Sequence, residues 1–427
     1  EPYRRQRQMC IRDRMIMRKI YTSIDIGTEE VKAVTMEEYN GKFNVLATAH
    51  VPAKGVKKGL ITDAQAITGS VKKAIKTLES KLGTKVEQVI AVVPSNNREI
   101  DIAMGEVDIN TSDALVDGET IFNCLQKSLK KHVSMNSEVV SVMSIEYKID
   151  GEKKVKNPLG LEGSKLAVKS VVVTVPKKNV YSVVGILENI GVEVVDIVIS
   201  SIADYYAAKD KELDKAVVAM INFGKEKSVL SVFNKGILVK ELIASIGGDD
   251  IDEVIRFNFK TDEKKTKEIK EEYGVASRKY AESDEEYKIV NRLSQNIVVN
   301  QYMLAEMIEY KLIESLKNLK NDINNLTNRE ISYIIVTGAI TSMLGFDALL
   351  QDTYGRKGQI LNVNVIGIRD SRFATSYGAI KYFVDKLNLR EKDYTMFVDE
   401  KVEEMLRARK KMGTGSALGK IFGRIFD

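Results

Sequence analysis

Residues 19–38 read KIYTSIDIGTEEVKAVTMEE, and residues 215–250 read KAVVAMINFGKEKSVLSVFNKGILVKELIASIGGDD. Each stretch opens on a β-branched run that closes at a glycine, Gly27 in the first and Gly224 in the second, and each resumes in another β-branched run. Such residues suit a pleated, half-buried strand, and a glycine takes the tight turn between two of them. In the first stretch Asn40-Gly41 follows, a two-residue hairpin signal, and then FNVLATAHV (43–51), so consecutive antiparallel strands are predicted. In the second the order is again strand, glycine turn, strand, turn, strand. Two such units about half a chain apart imply an α/β protein built from two related lobes that face one cleft.

Working outward, residues 63–82 carry helical spacing, with Ile67, Val71, Ala74, Ile75, Leu78 and Leu82 on one face, Asp63 as N-cap and Gly83 as the stop. VEQVIAVVP (86–94) reads as a buried strand. Residues 100–175 mix short strands with one helix near 118–131. A helix at 179–191 precedes a strand at 192–200. Residues 251–326 read as mostly helical and highly charged. ISYIIVTGAI (331–340) is a strand ending at a glycine, NVNVIG (362–367) the last strand, and TSYGAIKYFVDKL (375–387) the closing helix.

Composition narrows the chemistry. The 427 residues allow two or more domains. The net charge of +5 is spread over 65 basic and 60 acidic residues, which argues against a nucleic-acid binder with one dominant basic face. Two cysteines, Cys10 and Cys124, make neither a disulfide framework nor a metal cage, and fit a reducing compartment. The two histidines, His50 and His132, lie far apart, which argues against a zinc hydrolase or a Ser/His/Asp enzyme and for both as structural or surface residues. No run approaches the roughly 18 apolar residues of a bilayer span. Residues 1–16, arginine-rich and without periodicity, are read as a non-native leader, with the natural start at Met15 or Met17.

The first hairpin has the makings of a phosphate site. Gly27 lets the backbone approach a phosphate, Thr28 offers a hydroxyl and Lys32 a point charge, and Asp25 is a candidate to hold Mg2+ through water. At the other end, Gly413-Thr414-Gly415-Ser416 is a flexible break. After it, Leu418, Ile421, Phe422, Ile425 and Phe426 share one helical face, with Lys420 and Arg424 off the stripe and basic residues upstream, the pattern of an interfacial membrane helix.

The first hairpin resembles that of the actin and heat-shock-chaperone ATPase superfamily, in which an acid, a glycine and a hydroxyl residue are followed in actin by a lysine seven residues after the acid, as Lys32 follows Asp25. More specific text resembles the FtsA family of bacterial cell-division proteins: KNPLGLEGSKLAVKSVVVTV (156–175), LENIGVEVVDIVISSIADYYA (187–207), SIGGDDID (245–252), EIKEEYG (268–274), LAEMIEYKLIE (304–314) and FATSYGAIKYF (373–383). The resemblance covers residues 17–427 and implies a two-lobed actin-like ATPase fold with an inserted strand-helix-strand (SHS2) subdomain at 95–175. It divides the chain into a first lobe of 17–94 closed by 176–216 and 376–390, a second of 217–250 and 327–375, a helical subdomain of 251–326, a linker of 391–416 and a membrane helix of 417–427.

By the same resemblance the ligands are ATP and Mg2+, with Gly27, Thr28, Lys32, Gly224, Lys225, Lys270 and Gly338 binding nucleotide, Lys270 on the ribose, and with Asp25 and Asp196 in the catalytic positions. The partners implied are the C-terminal peptide of the tubulin-like ring protein FtsZ, other copies of the chain in actin-like filaments, anionic lipid at the cytoplasmic face of the cell membrane and other division proteins, with no nucleic acid. The chain departs from the family at the second hairpin. The acid of D-I-G-G-G-T-T is Asn222, and charged residues replace two of the glycines, so hydrolysis is expected to be slow or absent. Thr337-Gly338-Ala339-Ile340 replaces the T-G-G-G of the adenine side, and Lys267 replaces the acid ahead of Lys270. The competing readings are an actin-like adaptor of type IV pilus assembly and a sugar-kinase-like or chaperone-like ATPase.

Overall fold

The computed structural model describes residues 18–129, 134–363, 365, 367–368, 371–398 and 401. The chain begins with a meander of three antiparallel strands, β1 (Lys19–Ile26), β2 (Glu30–Tyr39) and β3 (Lys42–Pro52). A small hairpin of β4 (Val56–Lys57) and β5 (Leu60–Ile61) leads into α1 (Ala64–Leu82). Both ends of α1 are built as its sequence indicates. Asp63 accepts a hydrogen bond from the Ala66 amide, and Gly83 stops the helix in the left-handed conformation at φ 76°. Strand β6 (Gln88–Val93) then returns parallel to β1.

An inserted module follows: β7 (Glu99–Asp108), α2 (Gly118–Leu129), β8 (Ser137–Ile149), β9 (Lys153–Val155) and β10 (Lys165–Pro176). Its sheet has the order β7-β10-β8-β9 and its own small core, in which Ile121 and Cys124 of α2 pack on Tyr147 and Leu166. The chain re-enters the first lobe through α3 (Lys177–Asn189), β11 (Glu193–Ile199) and α4 (Ser200–Ala208), completing a sheet of order β11-β6-β1-β2-β3.

The second lobe repeats the plan. Strands β12 (Val217–Phe223), β13 (Ser228–Asn234) and β14 (Ile237–Ala244) form a second meander. After α5 (Gly248–Phe259), α6 (Glu263–Tyr273), the hairpin β15 (Glu286–Val290) and β16 (Asn296–Asn300), and α7 (Gln301–Leu326), strand β17 (Tyr333–Thr337) pairs parallel to β12. Helix α8 (Phe346–Tyr354) leads to β18 (Gly358–Ile360), parallel to β17, and α9 (Ala374–Leu389) crosses back to the first lobe. The order β14-β13-β12-β17-β18 mirrors the first sheet, a meander flanked by two parallel strands, so the duplication expected from the two glycine-turned stretches is present. Helix α7 presents Leu304, Ile308, Leu312, Leu316, Leu319 and Ile323 to the second core at helical spacing.

Helices α4 and α9 cross closely at Gly378, where a Cβ would lie 1.7 Å from the Ala203 carbonyl oxygen. Only a glycine admits that approach, and it brings Asp204 of α4 and Thr375 of α9 within hydrogen-bonding distance.

Two local expectations differ from the structure. The charged region 251–326 contains the β15–β16 hairpin. Its strands EYKIV and NIVVN alternate between exposed and covered positions, and the Asn291 carboxamide oxygen accepts from the Leu293 and Gln295 amides to close the turn. Among the described residues of 362–367 there is no strand, and the last strand is β18. The apolar residues there serve a crossing: Val363 and Ile368 are buried in the first-lobe core instead of continuing a ladder.

Candidate functional site

The turns after β1 and β12 are built alike. Gly27 N donates to Glu30 O at 3.0 Å, and Gly224 N donates to Lys227 O at 3.0 Å. The two turns face a cleft of about 800 Å³ between the lobes. Asp25, Gly27, Thr28, Lys32, Gly224, Lys225, Lys270 and Gly338 all line it, although up to 313 positions of sequence separate them. Gly338, at φ 116°, lies so close to β12 that a Cβ would sit 2.2 Å from the Phe223 carbonyl oxygen. Thr28 accepts a hydrogen bond from the Gly59 amide at 2.9 Å, so its hydroxyl tethers the turn between β4 and β5 to the first hairpin.

Asp25 and Lys32 are opposite each other in the β1–β2 ladder, and their side chains form a mostly buried ion pair at 2.8 Å. Burial opposes the Lys32 charge, but Asp25, Asp204 and Glu30 together hold the ammonium above the ordinary lysine range. Lys270 pairs with Asp252 of α5 at 2.5 Å.

Asp196 is not among the residues that line the cleft, and its carboxylate is engaged by Lys386. The carboxylate that lies beside the second hairpin is Asp204, which composition and motif reading did not single out. It is buried; Thr375 Oγ1 donates to one of its oxygens at 2.6 Å and Asn222 Nδ2 to the other at 2.7 Å. Burial pushes its pKa up to about 6, against the pull of those two donors. The available signal was an acid inside the otherwise uncharged run SSIADYYA.

Further pairs join the two lobes across the cleft. Lys267 of α6 donates to Glu29 of the first hairpin at 2.6 Å, and Glu226 accepts from the Lys58 amide. Burial favours the neutral acid at Glu29, yet Lys267 outweighs it and holds the carboxyl below the usual glutamate range. Lys227 reaches from the second hairpin to Asn96 Oδ1 at 2.9 Å and lies above Gly59, where a Cβ would be 2.7 Å from Nζ. Behind it, the buried Glu241 pairs with Arg98 at 3.2 Å and accepts from Ser201.

The carboxylates that would hold Mg2+ are committed elsewhere: Asp25 to Lys32, both oxygens of Asp204 to neighbours, and Asp196 to Lys386. Asn222 contributes a neutral amide whose nitrogen is turned to Asp204. Among the described residues there is no group of three or more His, Cys, Asp or Glu side chains suited to a metal ion. This donor set does not fit a divalent cation, which needs several free anionic or carbonyl oxygens. Asp25, the residue that the first hairpin's sequence offers to Mg2+ through water, is paired through Oδ2 with Lys32, which offsets the charge that would attract the ion.

The family described as the SHS2 domain inserted in FtsA matches residues 84–174. The cell division protein FtsA of Bacillus subtilis (strain 168) is 25% identical over 366 residues, covering 85% of this chain and 83% of that protein. FtsA of Streptococcus pneumoniae serotype 2 is 24% identical over 356 residues, covering 83% of this chain and 78% of that protein. The SHS2 match and these relatives, which run along most of the chain, support a likeness to the FtsA proteins. Its fold is that of the actin-like ATPases. The type IV pilus biogenesis complex PilM–PilN superposes with a TM-score of 0.56 at 14% identity, over 86% of this chain and 98% of that one. MreB5 of Spiroplasma citri, bound to AMPPNP, does so with a TM-score of 0.52 at 13% identity, over 87% and 98%. In this chain, residues on the first hairpin, the second hairpin, α6 and the turn after β17 meet at one cleft.

The expected membrane residues Leu418, Lys420, Ile421, Phe422, Arg424, Ile425 and Phe426 lie outside the described residues. Among the described residues, no helix is long and apolar enough to cross a membrane.

Proposed function

We propose that this chain is an actin-like, ATP-binding adaptor of cell division that tethers FtsZ polymers to the cytoplasmic face of the membrane at the division site and gathers other division proteins there. The observation that carries the nucleotide part is the convergence of Gly27, Thr28, Lys32, Gly224, Lys225, Lys270 and Gly338 on one cleft between duplicated lobes. An MreB of the same fold is bound to AMPPNP, which supports the same ligand here.

In this reading the subdomain 95–175 serves other division proteins, 251–326 receives the FtsZ C-terminal peptide on a face near Lys311 and Lys317, and 391–416 links the body to the membrane helix 417–427. Filaments of the chain line up many such helices, and effective concentration makes reversible single contacts firm. Turnover of ATP is slow or absent, because Asn222 carries no charge and the second hairpin has Lys225 and Glu226 where the family has glycines.

Liposome co-sedimentation tests the whole. FtsZ should pellet with anionic vesicles only when this chain is present, and deletion of 417–427 should abolish that recruitment. Recruitment that survives the deletion would place the anchor elsewhere. Thermal-shift titration tests the cleft: ATP should raise the melting temperature, and Thr28→Ala should reduce the rise.

A further inference from the structure

The second hairpin has lost the acid that a metal-assisted phosphate site uses, and it has gained cations in the turn itself. Asn222 gives its amide to Asp204 at 2.7 Å, and Asp25 Oδ2 is paired with Lys32 at 2.8 Å. Lys227, by contrast, lines the cleft, with its ammonium hydrogen-bonded to Asn96 and lying above Gly59, so it stands between the second hairpin and the first lobe. Lys225 lines the cleft from the same turn, and its nearest acid is the exposed Glu263 at 3.6 Å. A phosphate chain entering between the hairpins would meet ammonium groups from both lobes, while the acids of the hairpins themselves, Asp25, Glu29 and Glu226, are already engaged by Lys32, Lys267 and the Lys58 amide.

We propose that this cleft binds the phosphates of a nucleotide without a divalent cation, the Lys227 ammonium supplying the positive charge that the ion supplies elsewhere in the fold. The proposal rests on the nucleotide-binding reading above. A lysine is a compact point charge with three donors, which suits the role. Burial holds the Lys227 pKa at about 8, so the group remains charged at neutral pH while being only partly satisfied by Asn96 and the more distant Glu241. A lysine that only bracketed the two lobes would occupy the same position, and binding measurements separate the two roles.

Calorimetric titration of the full chain with ATP at pH 7, in EDTA and then in Mg2+, tests this. Affinity in EDTA should lie within about threefold of that in Mg2+. Lys227→Met should weaken binding in EDTA by about tenfold or more, the scale of one charge-assisted hydrogen bond. Its circular dichroism spectrum should stay unchanged, and Lys227→Arg should keep most of the affinity. A tenfold or greater loss in EDTA for the unmodified chain would overturn the proposal and leave the nucleotide reading standing. Unchanged affinity in Lys227→Met would overturn the role of Lys227 as the charge donor. Absence of binding in both buffers would overturn the nucleotide reading itself.

Discussion

The hairpins at β1–β2 and β12–β13 share a backbone and differ in chemistry. Each closes with a glycine amide donating to a carbonyl three residues on, at 3.0 Å in both. Asp25 faces Lys32 in the first ladder, and Asn222 faces Val229 in the second, the same spacing in each. The first pair is a buried ion pair; in the second an amide has replaced the acid, an apolar residue stands where the lysine was, and the cations have moved into the turn as Lys225 and Lys227. What keeps a hairpin in place is therefore the backbone bond and the close packing of its glycine, which leaves the side chains free to diverge.

Substitutions can break this comparison. The largest effect is expected at Gly338, which supports the second hairpin from below. Gly338→Ala places a side chain at φ 116° and 2.2 Å from the Phe223 carbonyl, and strain plus overpacking should cost about 4 kcal/mol in urea denaturation. Lys32→Met comes next. It leaves Asp25 largely buried without its partner and should cost about 3 kcal/mol, with much of the loss recovered in Asp25→Asn/Lys32→Met. The ion pair would be dispensable to the first hairpin if the single variant melted like the parent.

The glycines of the two turns give a direct contrast. A Cβ at Gly224 would lie 2.6 Å from the Lys227 carbonyl, and one at Gly27 would lie 3.0 Å from that of Glu30. Gly224→Ala should cost about 2 kcal/mol and Gly27→Ala about 1 kcal/mol. Equal losses would mean that the second turn adapts as readily as the first.

The smallest effect is pH-dependent. The Asp204 pKa is raised from 3.8 to about 6, so the folded state holds this proton longer than the unfolded chain does. Its contribution to stability is therefore lost as pH rises from about 4 through 6. Asp204→Asn removes that loss, and the melting temperature of the variant relative to the parent should be higher at pH 7 than at pH 5. A difference that does not change with pH would show that Asp204 ionises in the folded protein as it does in the unfolded one.

Much of the fold was legible because its signals are local. Runs of β-branched residues around glycines marked both meanders, and Asp63 and Gly83 marked both ends of α1. The β15–β16 hairpin was not legible, because its alternation is short and its exposed positions are as charged as the helices around it. Of the candidate nucleotide-site residues, those in glycine turns could be placed from the turns themselves. Glu29–Lys267 and Lys58–Glu226 join residues 238 and 168 positions apart, and no local pattern records such a partnership.

The sequence by itself determined where strands turn, where helices start and stop, and that the chain is built twice over from one plan, since hydrogen-bond spacing and backbone conformation depend on near neighbours. Tertiary structure decided which acids remain available to a ligand. Asp196 and Asp204 are eight positions apart, yet one meets Lys386 away from the cleft lining and the other is buried beside Asn222 and Thr375. Burial and pairing set the charge of a side chain, and both arise only when α4, α9 and the two sheets have come together.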